Sequence, residues 1–320
     1  MRTNKIKLMA LIAFMGLSLT SCSDDDNPQV APDNTVTGIA SKASDLTLLV
    51  KALKKADLAT TLQGAGPFTV FAPTDQAFIA AGLTANAIDN YPAADIPVLR
   101  QILLNHVVSG AVQSSGLTNN SYIKTLAVGS ASTTNKLDMY VNTTSGVRLN
   151  GVSSVITTTA GGTFNIIATN GVIHKVDAII GLPTIVTHAV ANPNFNTLES
   201  LLIAQNLTGT LGGTPSSPFT VFAPLESAFD TATLALYNGL SSSEKRTAVL
   251  KYHVVTGANV LSNAIPTSPI TTFEGGTFTV AGTVITDEQL RQTNIVLTDV
   301  QCANGVIHAV NKVLLPNSVP

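Results

Sequence analysis

Leu46, Leu49, Val50, Leu53 and Leu58 fall on one side of a 3.6-residue spiral, and Lys51, Lys54 and Lys55 fall on the other. With Ser44 and Asp45 just ahead, the spacing predicts an amphipathic helix that Gly64-Ala65-Gly66-Pro67 stops. Alternation then takes over. Phe68 and Val70 point one way and Thr69 and Phe71 the other, a short strand closed by Pro73. Thr74 is placed to N-cap the next helix, with Asp75 in its positive first turn and Ala77, Phe78 and Ala81 as the packing face up to Gly82. Residues 96–108 begin as helix and run into strand. From 121 to 167, Thr, Val, Ser and Gly alternate in short runs, which predicts strands joined by turns. Asn170-Gly171 has the composition of a two-residue hairpin turn, with a strand over 172–176 after it.

The same pattern then returns. FTVFAPTDQAF at 68–78 becomes FTVFAPLESAF at 219–229, an offset of 151 residues. HVVSG at 106–110 becomes HVVTG at 253–257, and NGVIHKVDAIIGLP at 170–183 becomes NGVIHAVNKVLLP at 304–316. Phe195, Leu198, Leu201, Leu202 and Leu207 repeat the apolar stripe on the positions of Leu46, Leu49, Ala52, Leu53 and Leu58. Matched segments in one order mean a duplicated globular domain, since the period is far too long for a solenoid unit. The repeats are not identical. Leu225 replaces Thr74, which removes a capping hydroxyl worth about 1 kcal/mol, although Glu226 keeps the charge. Ser241-Ser242-Ser243-Glu244 predicts a capping box for a helix ending at Tyr252. Strands follow through Phe273, over 278–280 and over 294–300. From HVV to NG is 64 residues in the first repeat and 51 in the second. The first therefore carries an insertion, with a loop expected at Gly161-Gly162. The connection over 182–194 is short, so a limited range of domain orientations is expected.

Composition changes the picture in two ways. Charged residues are 11% of the 320, against about 25% in typical soluble domains, and the net charge is −2. No basic run exists beyond the first residues, which excludes nucleic acid as the expected partner. The N-terminus reads as an address. Arg2, Lys5 and Lys7 precede an apolar stretch over 8–19, the pattern of a signal peptide over residues 1–21. Leu19-Thr20-Ser21-Cys22 resembles a bacterial lipobox, so Cys22 is expected to carry the lipid that anchors the chain to a membrane. Ser23-Asp24-Asp25-Asp26 resembles the surface-export signal of Bacteroidota lipoproteins. Residues 22–35 then form a lipidated tether, and the expected location is the cell outer membrane, lipid-anchored and surface-exposed. Cys302 is left alone among apolar neighbours, an inert buried thiol.

Both repeats resemble fasciclin-type domains, the FAS1 family. TVFAPTDQAF and TVFAPLESAF resemble its first sequence block, and the two NGVIH segments its second. The resemblance implies an α+β fold with two tandem domains, over 36–183 and 184–320. Each would be a β-sheet wedge or sandwich with helices packed around it. It also implies adhesion and extracellular matrix binding without catalysis. Tyr252-His253 matches the family's tyrosine–histidine motif, associated with cell-adhesive contacts. That points to Tyr252 and His253 as partner-binding residues, and to His106, beside which Asn105 stands where the tyrosine would be. Asp230-Thr231-Ala232 resembles a Bacteroidota O-glycosylation motif.

Catalytic chemistry finds little footing. Two histidines per repeat (His106 and His174, His253 and His308) would be half a metal site, with His188 between the repeats. No third ligand recurs beside them, because Asp177 becomes Asn311. Buried, hydrogen-bonded imidazoles are expected instead, with no metal and no cofactor. There is no G-x-S-x-G elbow, no phosphate-cradling glycine loop and no repeating carboxylate pair. Asp75 and Glu226 recur, which charge at a helix start explains. The expected function is a non-enzymatic surface lipoprotein that binds a protein or glycan of the matrix, a host or a neighbouring cell. The alternative is a polysaccharide-binding accessory of an outer-membrane nutrient-uptake system. The absence of Trp and the scarcity of Tyr count against it.

Overall fold

Phe68 and Val70 turn toward the helices and Phe71 turns away, as the alternation predicts, and this divides the first repeat into two cores. In the computed structural model, which describes residues 32–157, 164–213 and 218–319, helices α1 (Val36–Lys42), α2 (Thr47–Lys55) and α3 (Ala59–Gln63) precede strand β1 (Phe68–Pro73). Helices α4 (Asp75–Ala80), α5 (Ala85–Asp89) and α6 (Ile96–Asn105) lead into β2 (Val107–Ser109). Strands β3 (Ser121–Gly129), β4 (Ser132–Asn142), β5 (Arg148–Leu149), β6 (Ser153–Ser154), β7 (Ile166–Ala168) and β8 (Gly171–Val176) follow. The strand order is β6-β5-β4-β3-β2-β1-β8-β7, mixed because β1 and β8 run parallel. Val70 and Ala72 pack with Leu49, Leu53 and Leu103 from the helices. Phe71 packs inside the curl of the sheet with Met139, Val141 and Leu149. The signal segment, Cys22, the acidic run and the Gly161-Gly162 loop lie outside the described residues.

The second repeat uses α7 (Ile185–Ala191), α8 (Asn196–Ala204), α9 (Thr208–Gly212), β9 (Phe219–Pro224), α10 (Thr231–Gly239) and α11 (Ser243–Tyr252). Strands β10 (Val254–Thr256), β11 (Ile270–Thr271), β12 (Thr277–Ala281), β13 (Val284–Thr286), β14 (Gln292–Cys302) and β15 (Gly305–Val310) complete it. Their order is β10-β9-β15-β14-β13-β12-β11, again with one parallel pair, β9 and β15. Phe219, Val221 and Ala223 face the helices, and Phe222 faces Phe278 and Ile285 inside the sheet. The arrangement is α+β: two mixed sheets, each with helices packed around it.

Three local expectations need correction. Asp75 does more than favour its own helix start. Its carboxylate accepts the Leu48 N–H at 2.8 Å and the Thr47 hydroxyl at 2.7 Å. Those are the orphan donors of α2, whose N-cap residue Leu46 has no capping side chain. Glu226 does the same for α8 through the Thr197 N–H and hydroxyl, at 2.9 and 2.7 Å. The recurrent carboxylates therefore cap helices from about thirty residues downstream. Second, Leu225 leads only into a 3-10 turn over Glu226–Ala228, and the helix restarts where Asp230 accepts the Thr233 N–H. The cap of α11 is Ser242, bonded to the Lys245 N–H, one residue beyond the capping box expected from Ser241.

The third correction concerns the NG pairs. The turn residues are Thr169-Asn170 and Ala303-Asn304, because Gly171 and Gly305 already belong to β8 and β15. A Cβ on either glycine would lie 2.1 or 2.2 Å from the carbonyl oxygen of Phe68 or Phe219. Glycine is needed for the close approach of the parallel strand. The asparagines are clamps. Asn170 accepts the Val36 N–H and donates to the carbonyls of Leu62 and Gly64. Asn304 likewise accepts from Ile185 and donates to Leu211 and Gly213. One side chain thus ties the start of a repeat to the end of its third helix.

The repeats meet where β4 lies against β14. The Asp138 carboxylate accepts the Gln301 N–H at 2.7 Å. The Ala303 carbonyl accepts the Ala131 N–H at 2.9 Å and the Ser130 hydroxyl at 3.0 Å, and the Ala303 N–H donates to Pro183 at 2.7 Å. A Cβ on Gly129 would lie 2.3 Å from the Ala303 Cα. On the other flank, Asn192 of the second repeat donates to the Tyr122 hydroxyl at 3.0 Å. Asp33–Pro320 accordingly forms one contact unit.

Candidate functional site

The histidines come first, because both repeats place them alike. His106 ends α6. Its Nδ1 bonds the Ile102 carbonyl at 2.8 Å and its Nε2 accepts the Ile180 N–H at 2.9 Å. His253 ends α11 and does the same with Val249 and Leu314, at 2.8 and 2.9 Å. An Nε2 that accepts from a backbone N–H must be unprotonated, so both rings are neutral with the proton on Nδ1. His174 and His308 use the opposite tautomer. Their Nε2 atoms bond the carbonyls of Val112 and Val260 at 2.9 Å, and their Nδ1 atoms accept from Asn165 and Asp299. Burial lowers all four pKa values, to about 4 for His106 and His253.

These four rings are crosspins. Each ties one carbonyl and one N–H from separate segments, and all are buried. Tyr252 is buried as well. Its hydroxyl donates to the Thr277 carbonyl at 2.6 Å and accepts the Glu288 N–H at 3.1 Å, and its ring packs against Phe278. The expectation that Tyr252, His253 and His106 touch a partner is therefore corrected. Tyr252 is 0% exposed and both histidines 2%, so they offer a partner almost no surface and act by holding the fold. Asn105, in the tyrosine's place, is buried too and donates to the Gly181 carbonyl at 2.9 Å. Cys302 is buried, as expected, and its thiol pKa is raised by desolvation. Among the described residues no group of three His, Cys, Asp or Glu is placed to hold a metal ion.

Two accessible clefts lie at the junction of the repeats, and another, of about 510 Å³, lies within the first repeat beside Gly66-Pro67 and residues 167–172. One cleft of about 550 Å³ lies between the β4–β6 region of the first repeat and the end of α7, with Asn142, Ser145, Arg148 and Ser154 facing Val190 and Ala191. A Cβ on Gly151 would lie 3.2 Å from the Ala191 Cα, so the two segments approach closely there. The Arg148 Nε donates to the Gly151 carbonyl at 2.8 Å, which orients the guanidinium at the rim. A second cleft, about 430 Å³, runs between Lys124 and Lys136 of the first repeat and Leu261, Ser262 and Asp299 of the second. The size and mixed lining suit a ligand of several polar groups with an apolar body. The sequence carried no signal for either cleft. Each is assembled from separate segments of the two repeats, with no motif of its own.

A model of the fasciclin domain matches the chain twice, over residues 44–183 and 193–316. Human periostin is 24% identical over 270 residues, 80% of this chain but 29% of periostin's own length. The chain thus spans under a third of that relative. The uncharacterized protein sll1735 of Synechocystis is 30% identical over 135 residues, 42% of this chain and 98% of its own. The cell surface glycolipoprotein MPB83 of Mycobacterium bovis is 32% identical over 138 residues, 41% of this chain and 60% of its own. Among solved structures, a FAS1 domain pair from the insect cell adhesion molecule fasciclin I aligns with 83% of this chain and 93% of its own, at 18% identity and a TM-score of 0.45.

Proposed function

The chain belongs to the fasciclin domain family, and from that premise we propose that it is a surface-displayed adhesion module. The two domains, held in a fixed arrangement, present the junction clefts to an extracellular protein or glycan. The observation that carries this reading is that two accessible clefts are built jointly by the two repeats, while the repeated histidines and Tyr252 are buried as crosspins. A duplicated fold whose shared polar residues are used up in support leaves binding to the surface where the copies differ.

The proposed display is through lipid on Cys22, with the chain in the outer membrane and facing outward. The lipobox-like LTSC and the acidic residues after it support this. So does the name of one relative, a cell surface glycolipoprotein. Many copies on one cell would multiply modest contacts. The chain supplies no catalytic group in this reading. The test is a binding screen of the lipid-free mature chain on matrix-protein and glycan arrays, repeated with Arg148→Ala and Lys136→Ala. Flat arrays would end the adhesion reading, and binding indifferent to both substitutions would remove the clefts from it. Protease shaving of intact cells tests the display, since a protected chain contradicts outward exposure.

A further inference from the structure

We propose that the junction between the repeats is a proton-sensitive latch, with His188 as its trigger. This needs no ligand and does not depend on the adhesive reading. His188 lies on α7 and is fully buried, and neither of its ring nitrogens makes a well-formed hydrogen bond, although the Asp138 backbone lies close enough to favour its charged form. The other four histidines each bond a carbonyl and an N–H, so this ring is the exception. Buried unpaired polar atoms are rare and call for an account. The matching position on α1 is Ile39, packed against the helix-side core. The fold therefore accepts an aliphatic side chain here. The imidazole stands in the copy whose first helix faces the other repeat.

What it faces is specific. The Tyr122 ring of β3 meets the imidazole at 5.3 Å between centroids, with planes at 79°. One turn along α7, Asn192 holds the Tyr122 hydroxyl. The remaining ionisable groups of the packed elements are few. From β3 there is Lys124, whose charge disfavours protonation of His188. From β4 there are Lys136, Tyr140, which packs on Tyr122, and Asp138, whose carboxylate is engaged by Lys124 and the Gln301 N–H and whose backbone favours the charged His188 ring against the larger cost of burial. From β14 there are the buried Cys302 thiol and Asp299, whose carboxylate is held by Ser262, and β15 carries His308, bonded to Val260. From α8 there is Glu199, and α9 has no titratable side chain. No carboxylate bonds the ring, so an imidazolium there has no counter-ion in contact.

Burial holds the ring neutral in the closed junction, its pKa driven down to about 3. Released to water, an imidazole titrates near 6.5. Opening therefore takes up a proton. Each unit of pH below about 6.5 shifts the closed-to-open ratio about tenfold toward open, until the closed form itself titrates. Asp138 opposes this, because burial raises its pKa and protonation there favours the closed form.

The experiment is small-angle X-ray scattering of the full chain from about pH 7.5 to about pH 4.5, a range in which imidazoles change charge. Circular dichroism is recorded on the same samples. The expected result is elongation while the secondary structure is intact, and no elongation over that range in His188→Ile. Dimensions that stay constant until the secondary structure is lost would overturn the proposal, as would a His188→Ile chain that elongates at the parent's pH. If that variant does not fold, His188→Leu takes its place. Proton NMR of the parent decides independently: a His188 ring that titrates near 6.5 in the unelongated chain would also overturn it.

Discussion

At the scale of single residues, the imidazoles decide how the protein meets acid. His106 and His253 have folded pKa values of about 4 against 6.5 in the open chain. A depressed pKa contributes stability that is fully present above 6.5 and lost as pH falls toward 4. Thermal melts at pH 7 and pH 4.5 should therefore differ by several degrees or more, with the lower value in acid, and a Tm independent of pH would contradict the crosspin geometry. His253→Ala strands the Leu314 N–H and the Val249 carbonyl. It should cost about 2–4 kcal/mol in urea unfolding. Burial of the histidines was legible from their apolar surroundings. Their opposite tautomers were not, because each is set by backbone groups distant in sequence, such as Ile180 for His106. Tyr252 was read as a contact residue from its resemblance to the family's tyrosine–histidine motif, and the groups that satisfy its hydroxyl, at Thr277 and Glu288, are distant in sequence.

At the scale of elements, what the chain announced were stripes and alternations, and what it concealed were caps supplied through space. The stripe of α2 was legible in Leu49 and Leu53, and β1 in the alternation of Val70 and Phe71. That Asp75 caps α2 and Glu226 caps α8 was not, since two helices and a strand separate the donors at Thr47 and Thr197 from them. Asp75→Ala and Glu226→Ala should each cost about 1 kcal/mol, read as a shift in urea midpoint. Asn in place of Asp75 should recover part of it. The NG pairs look like hairpin turns by local preference, yet the glycines are there to admit a neighbouring carbonyl. Gly305→Ala must push β9 and β15 apart, and should lower stability far more than Gly239→Ala at an open position. Equal effects would show that the parallel pair tolerates a Cβ.

At the scale of the whole molecule, duplication was plain from the matched blocks, and the junction was not. Its contacts are made by unremarked residues, Gly129, Ser130, Ala131 and Ala303, whose side chains carry no pattern. Together with Asp138 and Gln301 they should make the repeats unfold as one. Scanning calorimetry of the full chain is expected to show a single transition at neutral pH. Gly129→Val, which drives a side chain into the Ala303 backbone, should split it into two. A single, unshifted transition in that variant would mean the repeats do not lean on one another there.

The parallel pairing of β1 with β8 also bears on how such a chain is made. A chain made from its N-terminus presents Phe68–Pro73 about a hundred residues before Gly171–Val176, the strand that completes its environment. Closing so long a loop is slow and late. Asn170, which fastens the start of α1, arrives with that same strand. Each copy is thus sealed by its last strand, and a nascent chain halted before it would present an open apolar face to whatever escorts it. Folding would have one short segment to wait for, and then, for the second copy, Gly305–Val310 to wait for again.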